Sequence, residues 1–197
     1  MINKETRIAE IRAVSEEKMI IEGYAVRFGE ETLIGTETHG FKEIIEPSSL
    51  AETNMKDVPL KYNHQDNFLV IARTRNKSLE LETNEIGLKI RAQLLDTQSN
   101  QDIYKMVRSG LLDKMSFAFT VKSQSWDRSG EVPVRTIKQI ERLYDVSIVD
   151  VPPYEGTSVY ARSLELLDSE TRELENLKLE HDKEIIRKKI KIKGEIH

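Results

Sequence analysis

Hydrophobic and polar positions alternate with period two over much of the first 150 residues, the pattern of half-buried strands. The cleanest case is Ser78-Leu79-Glu80-Leu81-Glu82-Thr83 followed by Gly87-Leu88-Lys89-Ile90-Arg91-Ala92-Gln93-Leu94. These two runs flank a Thr83-Asn84-Glu85 turn and read as a hairpin. Ile8 to Val14 alternates less perfectly, and Met19 to Phe28 reads as its hairpin partner, with Gly23 inside it suggesting a bulge. Phe41 to Ile45, Val58 to His64 and Leu69 to Thr74 read as three further strands. Pro47-Ser48-Ser49-Leu50 reads as a helical turn, with proline at a tolerated first-turn position. One helix is well marked: Asp96 or Thr97 can cap it, Ile103, Met106 and Val107 form its apolar face, and Gly110 ends it. Strands over Lys114 to Lys122 and Arg135 to Val151, the second with a break, complete the region. The pattern predicts an α+β domain dominated by an antiparallel sheet or barrel.

The pattern changes after Ala161. From Arg162 onward there is no proline, and Gly194 is the only glycine. Leu164, Leu167, Leu174, Leu177, Ile185 and Ile186 fall roughly on one helical stripe. Ser163 to Asp182 carries seven acids against Arg172 and Lys178, whereas Lys183 to Lys193 carries six bases against Glu184. The chain thus divides into a domain over residues 1–161 and a charged helical or disordered tail over 162–197. The tail is either a solvated helix that docks nowhere or an interaction or coiled-coil segment.

Composition narrows the chemistry. A length of 197 residues suits one domain plus a tail. With 34 acidic and 30 basic side chains the net charge is −4, which argues against nucleic acid as the main partner. The chain has no cysteine, so disulfides, thiolate-bound zinc, iron–sulfur clusters and a cysteine nucleophile are excluded. No apolar run reaches the roughly 18–20 residues of a membrane span. Residues 1–7 lack the apolar core of a signal peptide. A soluble cytosolic protein without cofactor or metal is expected.

Three residues carry candidate chemistry. Of the four histidines, His181 and His197 lie in the tail and His39 in a turn. His64 ends the run Val58-Pro59-Leu60-Lys61-Tyr62-Asn63-His64, and parity puts it on the side of Val58, Leu60 and Tyr62. A polar ring there suits a base at a cleft mouth, or simply a satisfied polar group. In Lys114-Met115-Ser116-Phe117-Ala118-Phe119-Thr120-Val121, the large apolar side chains face one way and Ser116, Ala118 and Thr120 the other. The small-residue face leaves room for a ligand or packs against a neighbouring element. A serine held there becomes a nucleophile only with a base in reach and a third group orienting that base. Asp145 interrupts an otherwise apolar strand and needs a partner or solvent, because an unpaired buried carboxylate is costly. A salt bridge to a nearby base would satisfy it as well. Asp150 has opposite parity and belongs on the other face unless a bulge intervenes.

Five stretches, in order, resemble the HK97-type prohead (capsid maturation) serine proteases of tailed phages and prophages. They are Gly23-Tyr24-Ala25-Val26-Arg27-Phe28-Gly29, Glu43-Ile44-Ile45-Glu46-Pro47-Ser48-Ser49-Leu50, Val58 to His64, Gly110 to Phe119, and Leu143-Tyr144-Asp145-Val146-Ser147-Ile148-Val149 with Pro152-Pro153-Tyr154 after it. They span most of residues 20–160. The resemblance implies a mainly antiparallel β-barrel surrounded by helices, similar to herpesvirus assemblin. It implies a serine endopeptidase with Ser116 as nucleophile, His64 as general base and Asp145 at the acid position, where the family usually has glutamate. It implies no cofactor. Its partners would be the major capsid protein with its scaffolding segment and other copies of the chain, a dimer being one form, with no nucleic acid or membrane. The site of action would be the assembling prohead in the host cytoplasm, and the tail an assembly or targeting segment and a candidate for self-cleavage.

Two other classes compete. One is a catalytically inert capsid scaffold or assembly module with the same barrel. The other is an unrelated β-rich binding domain, which requires His64, Ser116 and Asp145 to lie far apart. A metallohydrolase is poorly supported, since no second histidine stands at ligand spacing from His64.

Overall fold

The computed structural model describes residues 5–15, 18–36, 40–66 and 70–150. Strands β1 (Glu5–Ser15), β2 (Ile20–Arg27), β3 (Thr32–Ile34), β4 (Phe41–Ile45), β5 (Pro59–Tyr62) and β6 (Ala72–Arg73) precede the hairpin of β7 (Leu79–Thr83) and β8 (Gly87–Gln93). Helix α1 (Gln98–Arg108) follows, and then the two long strands β9 (Lys114–Asp127) and β10 (Val134–Val149). The tail, the boundary at residue 161 and His39 lie outside the described residues.

Local chemistry explains the elements. In β8, Leu88, Ile90 and Ala92 are buried while Arg91 and Gln93 are exposed, as period two demands. Asn84 shapes the hairpin turn, its Oδ1 accepting from the N–H groups of Ile86 (2.9 Å) and Gly87 (3.1 Å). Thr97 caps α1 by accepting from the Asn100 N–H (3.3 Å), and Gly110, at φ 75°, follows the helix end. Ile103, Tyr104 and Val107 bury one face of α1 in the core.

The strands order as β3-β4-β10-β9-β1-β2-β8-β7, with β5 also on β10 and β6 on β5. Neighbours are antiparallel except along one edge of β10, where β4 and β5 run parallel to it. That edge is filled piecewise by one stretch of chain. Residues 134–137 pair with β4, Arg142 bridges to Asn54, and residues 146–148 pair with β5.

Three expectations are corrected. The sheet is not a closed barrel surrounded by helices. Among the described residues no backbone ladder joins β6 to β7, and α1 is the one α-helix. Of the run expected as a strand from Leu69 to Thr74, Leu69 lies outside the described residues, and among the rest Ala72 and Arg73 pair as strand, because the chain turns into a 3₁₀ segment at Thr74–Asn76 and then left-handed at Lys77. Ser78 Oγ spans this seam by accepting from the Arg73 N–H (2.8 Å). The bulge that Gly23 suggested in β2 lies at Ala25, where the register against β8 shifts between Tyr24 and Val26, while Gly23 itself stands opposite Ile11 and Ile90. Gly23 is needed because a Cβ there would lie 2.1 Å from the Glu10 carbonyl oxygen.

A charge occupies an inward slot of β4. Phe41, Glu43 and Ile45 are all buried, and Glu43 meets two arginines there. Arg7 on β1 bonds Glu43 through Nε and Nη2, and Arg135 on β10 donates to Glu43 Oε2 (2.9 Å). Arg135 also donates to both oxygens of Glu5 (2.5 and 2.8 Å) and, through Nε, to Gln124 on β9 (2.8 Å). Burial pushes the Glu5 carboxyl up, but the hydrogen bond and charge of Arg135, with Arg7, outweigh it and hold it below its ordinary value. The network ties four strands together.

Removing one member strands the others in a dry site. Arg135→Met is expected to destabilise by about 3–5 kcal/mol, read from urea unfolding at neutral pH. Because the folded-state pKa of Glu5 is depressed, its contribution is fully present above the ordinary carboxylate range and disappears as pH falls through the lowered value. The acid-side fall in stability is therefore expected to be shallower in Arg135→Met than in the native chain.

Candidate active site

Ser116 sits where β9 is flanked on both edges, opposite Ile8 of β1 and Ser147 of β10. Met115 and Phe117 face the core with Ile148 and Val146 opposite them, while Ser116 and Ala118 face the other way with Ser147 and Asp145 opposite. Of the two readings of the small-residue face, packing holds: Ser116, Ala118 and Thr120 are all buried.

Asp145 reaches this face through a bulge. Leu143 stands opposite Phe119 on the core side, and strict alternation would send Asp145 to that side too. The register shifts between Leu143 and Asp145, leaving Tyr144 as an extra residue and placing Asp145 opposite Ala118. Asp150 does face elsewhere. It is exposed and accepts from Tyr62 Oη (2.8 Å) and Asn63 Nδ2 (2.8 Å). Burial and then Asp150 raise the Tyr62 phenol above its ordinary value. Glu141 accepts from Thr120 Oγ1 (3.2 Å) and stays apart from Asp145.

His64 reaches the face through a turn, which corrects its expected place on a strand. β5 ends at Tyr62, and Asn63 and His64 follow at φ 50° and 55°. Continued alternation would have carried His64 to the side of Leu60 and Tyr62. Instead the left-handed pair turns it toward the side of Lys61, which stands opposite Ser147. Such backbone costs roughly 1–3 kcal/mol per residue, and asparagine and histidine are among the residues that tolerate it best. The turn is pinned: Asn63 N–H donates to the Ile148 carbonyl (2.9 Å), and Asp150 N–H donates to Asn63 Oδ1 (3.1 Å).

The result is a compact polar cluster. His64 Nδ1 lies 2.5 Å from Asp145 Oδ1. Ser147 Oγ donates to the same carboxylate oxygen (3.0 Å), lies 3.2 Å from His64 Nδ1, and accepts from the His64 backbone N–H (3.2 Å). Lys61 Nζ stands 3.9 Å from Asp145 Oδ2 and 2.5 Å from Asp66 Oδ1. Asp145 is 0 % exposed, and these partners offset its desolvation. A carboxylate only accepts, and the Ser147 proton is committed to it, so the hydrogen between Asp145 and the ring belongs to His64 Nδ1. In the neutral ring Nε2 then carries the lone pair, the form a general base needs.

The structure brings His64 and Asp145 into contact and sets Ser116 beside their cluster. Opposed residues have Cβ atoms roughly 4.5–5.5 Å apart, which places Ser116 next to Ser147. Ser116 is 0 % exposed, and Ser116 Oγ and His64 Nε2 are both buried without a hydrogen-bond partner among the described residues. Sequence reasoning assigned no role to Ser147 or Lys61. The available signals were a hydroxyl two residues beyond Asp145 and a base three before His64. Among the described residues no group of three or more histidine, aspartate or glutamate side chains is placed to hold a metal.

A family model described as Caudovirus prohead serine protease matches residues 5–170. No curated protein matches the chain. Among solved structures, the bacteriophage T4 capsid assembly protease, gp21, aligns over 76 % of this chain and 99 % of that one, at 10 % identity and a TM-score of 0.42.

The strained turn is open to test. Asn63→Val puts a β-branched residue at φ 50° and is expected to cost about 1–3 kcal/mol in urea unfolding. Asn63→Gly relieves the backbone and is expected to cost less, losing only the side-chain bonds to Asp150.

Proposed function

The chain belongs to the Caudovirus prohead serine protease family, and on that premise we propose that Ser116 is its nucleophile, His64 the general base and Asp145 the residue that orients the base. The observation that carries this reading is the 2.5 Å contact of His64 Nδ1 with Asp145, which orients the ring, with Ser116 opposite Ser147 in the neighbouring strand and its hydroxyl, like Nε2, buried without a partner among the described residues. In this mechanism Nε2 takes the Ser116 Oγ proton as the oxygen attacks a peptide carbonyl carbon. Asp145 stabilises the imidazolium that forms. Nε2–H then protonates the departing amine, and water, deprotonated in turn by Nε2, hydrolyses the acyl-enzyme. Asp145 is one methylene shorter than the glutamate usual at this position. Its place at the bulge brings it within reach of the ring all the same.

The substrates we assign are the scaffold or scaffolding extension of the major capsid protein, and the protease itself, cut inside the assembling prohead in the host cytoplasm. Residues 1–161 form the protease domain. The charged segment 162–197 directs assembly and is a site of self-cleavage. Self-association inside the shell, as a dimer, controls the timing.

The full burial of Ser116 favours one second reading, an inert assembly module of the same fold. Co-expression with the major capsid protein of the same phage, read by intact mass, separates the two. Both chains are expected to shorten with the native protease, and Ser116→Ala is expected to reduce processing by roughly 10³-fold or more. Processing that is equal in both, or absent from both, refutes the triad.

A further inference from the structure

We propose that Ser147 is a positioning residue of this protease, anchoring His64 by its backbone and its ring partner at once. The inference rests on the reading of His64 as general base. One hydroxyl serves both ends of the base: Ser147 Oγ accepts from the His64 backbone N–H (3.2 Å) and donates to Asp145 Oδ1 (3.0 Å), the oxygen that meets the ring.

Each link answers a physical need. His64 is in left-handed backbone at φ 55° and half out of the sheet, so its N–H has no ladder partner, and Ser147 supplies one. The Asp145 carboxylate meets the ring through Oδ1, and a second hydrogen bond to that oxygen helps fix where it sits. Lys61 stands near Oδ2, and Ser147 holds Oδ1 in place for Nδ1. Ser147 is itself fully buried on β10, locked in register with Ser116 on one side and Lys61 on the other. A rigid strand thus fixes nucleophile, carboxylate and base to one another. Without the hydroxyl, the strained turn loses a tether and Asp145 Oδ1 loses one of its hydrogen bonds.

The test uses the full chain. Ser147→Ala removes one oxygen and introduces no clash, and Ser147→Thr keeps the hydroxyl on a residue that suits a strand. The first readout is the downfield proton resonance of the His64 Nδ1–H hydrogen bond, assigned by its loss in Asp145→Asn. The native chain is expected to show it, Ser147→Ala to lose or broaden it, and Ser147→Thr to retain it. The second readout is labelling by a fluorophosphonate probe, mapped by peptide mass. Ser147→Ala is expected to slow labelling of Ser116 by roughly 10–100-fold, less than the ~10⁴-fold typical of losing the orienting carboxylate, with rescue by Ser147→Thr. An unchanged resonance and rate in Ser147→Ala overturn the inference while leaving the triad intact. Failure of Ser147→Thr to rescue, or no such resonance in the native chain, also overturns it. Labelling that persists in Ser116→Ala, or maps to Ser147, overturns the triad reading itself.

Discussion

A β-strand sends successive side chains to opposite faces, and the contact between His64 and Asp145 depends on breaking that rule twice. In β9 the rule is obeyed, and Ser116 is set back to back with the phenylalanine side of the core. In β10 it is broken at several points, and the break at Tyr144 is the one that brings Asp145 to the side of Ser116 and not of Leu143. At the end of β5 it is broken again, by left-handed Asn63 and His64. Either irregularity alone would leave acid and base on different faces. Both are local and both are strained or unpaired, and the surrounding ladders hold them: β10 by β9 and β5, the turn by Ile148 and Asp150.

The other end of the same ladder carries the buried charges. Arg135 pairs with Trp126 across β9 and β10, beneath an edge-on contact of Trp126 with Phe41 at 5.0 Å. Its guanidinium gathers Glu5, Glu43 and Gln124 from three neighbouring strands. Such a network adds less to stability than an apolar packing of equal volume could, but it is directional. It favours one alignment of β1, β4, β9 and β10 at that end of the hairpin, and four register shifts separate it from the pairing of Ser116 with Ser147.

Much of this was legible from the amino acids. The hairpin of β7 and β8, the capped helix α1 and the inward side of β9 follow from periodicity and capping residues that act locally. The candidates His64 and Asp145 were legible as polar residues in apolar runs, and the contact between them was not, because parity arguments assume an unbroken strand. A bulge at Tyr144 leaves no mark in composition: the residue is a good strand former in an apolar neighbourhood. Asn63 was the better clue, since asparagine before a histidine readily takes a left-handed turn. Phe41 to Ile45 was legible only as a short strand, and the inward charge of Glu43 depends on arginines 36 and 92 residues away. The open seam at β6 likewise depends on how early the chain leaves the ladder at Thr74.

The placement of Ser116 within the sheet has a consequence for recognition. Both edges of β9 at this point are already hydrogen-bonded, to β1 and to β10. On the proposed reading of Ser116 as nucleophile, a peptide cannot join the sheet as one more strand at this point and has to approach across the face of β9. Selectivity of that kind rests on side-chain shape and not on a shared backbone ladder.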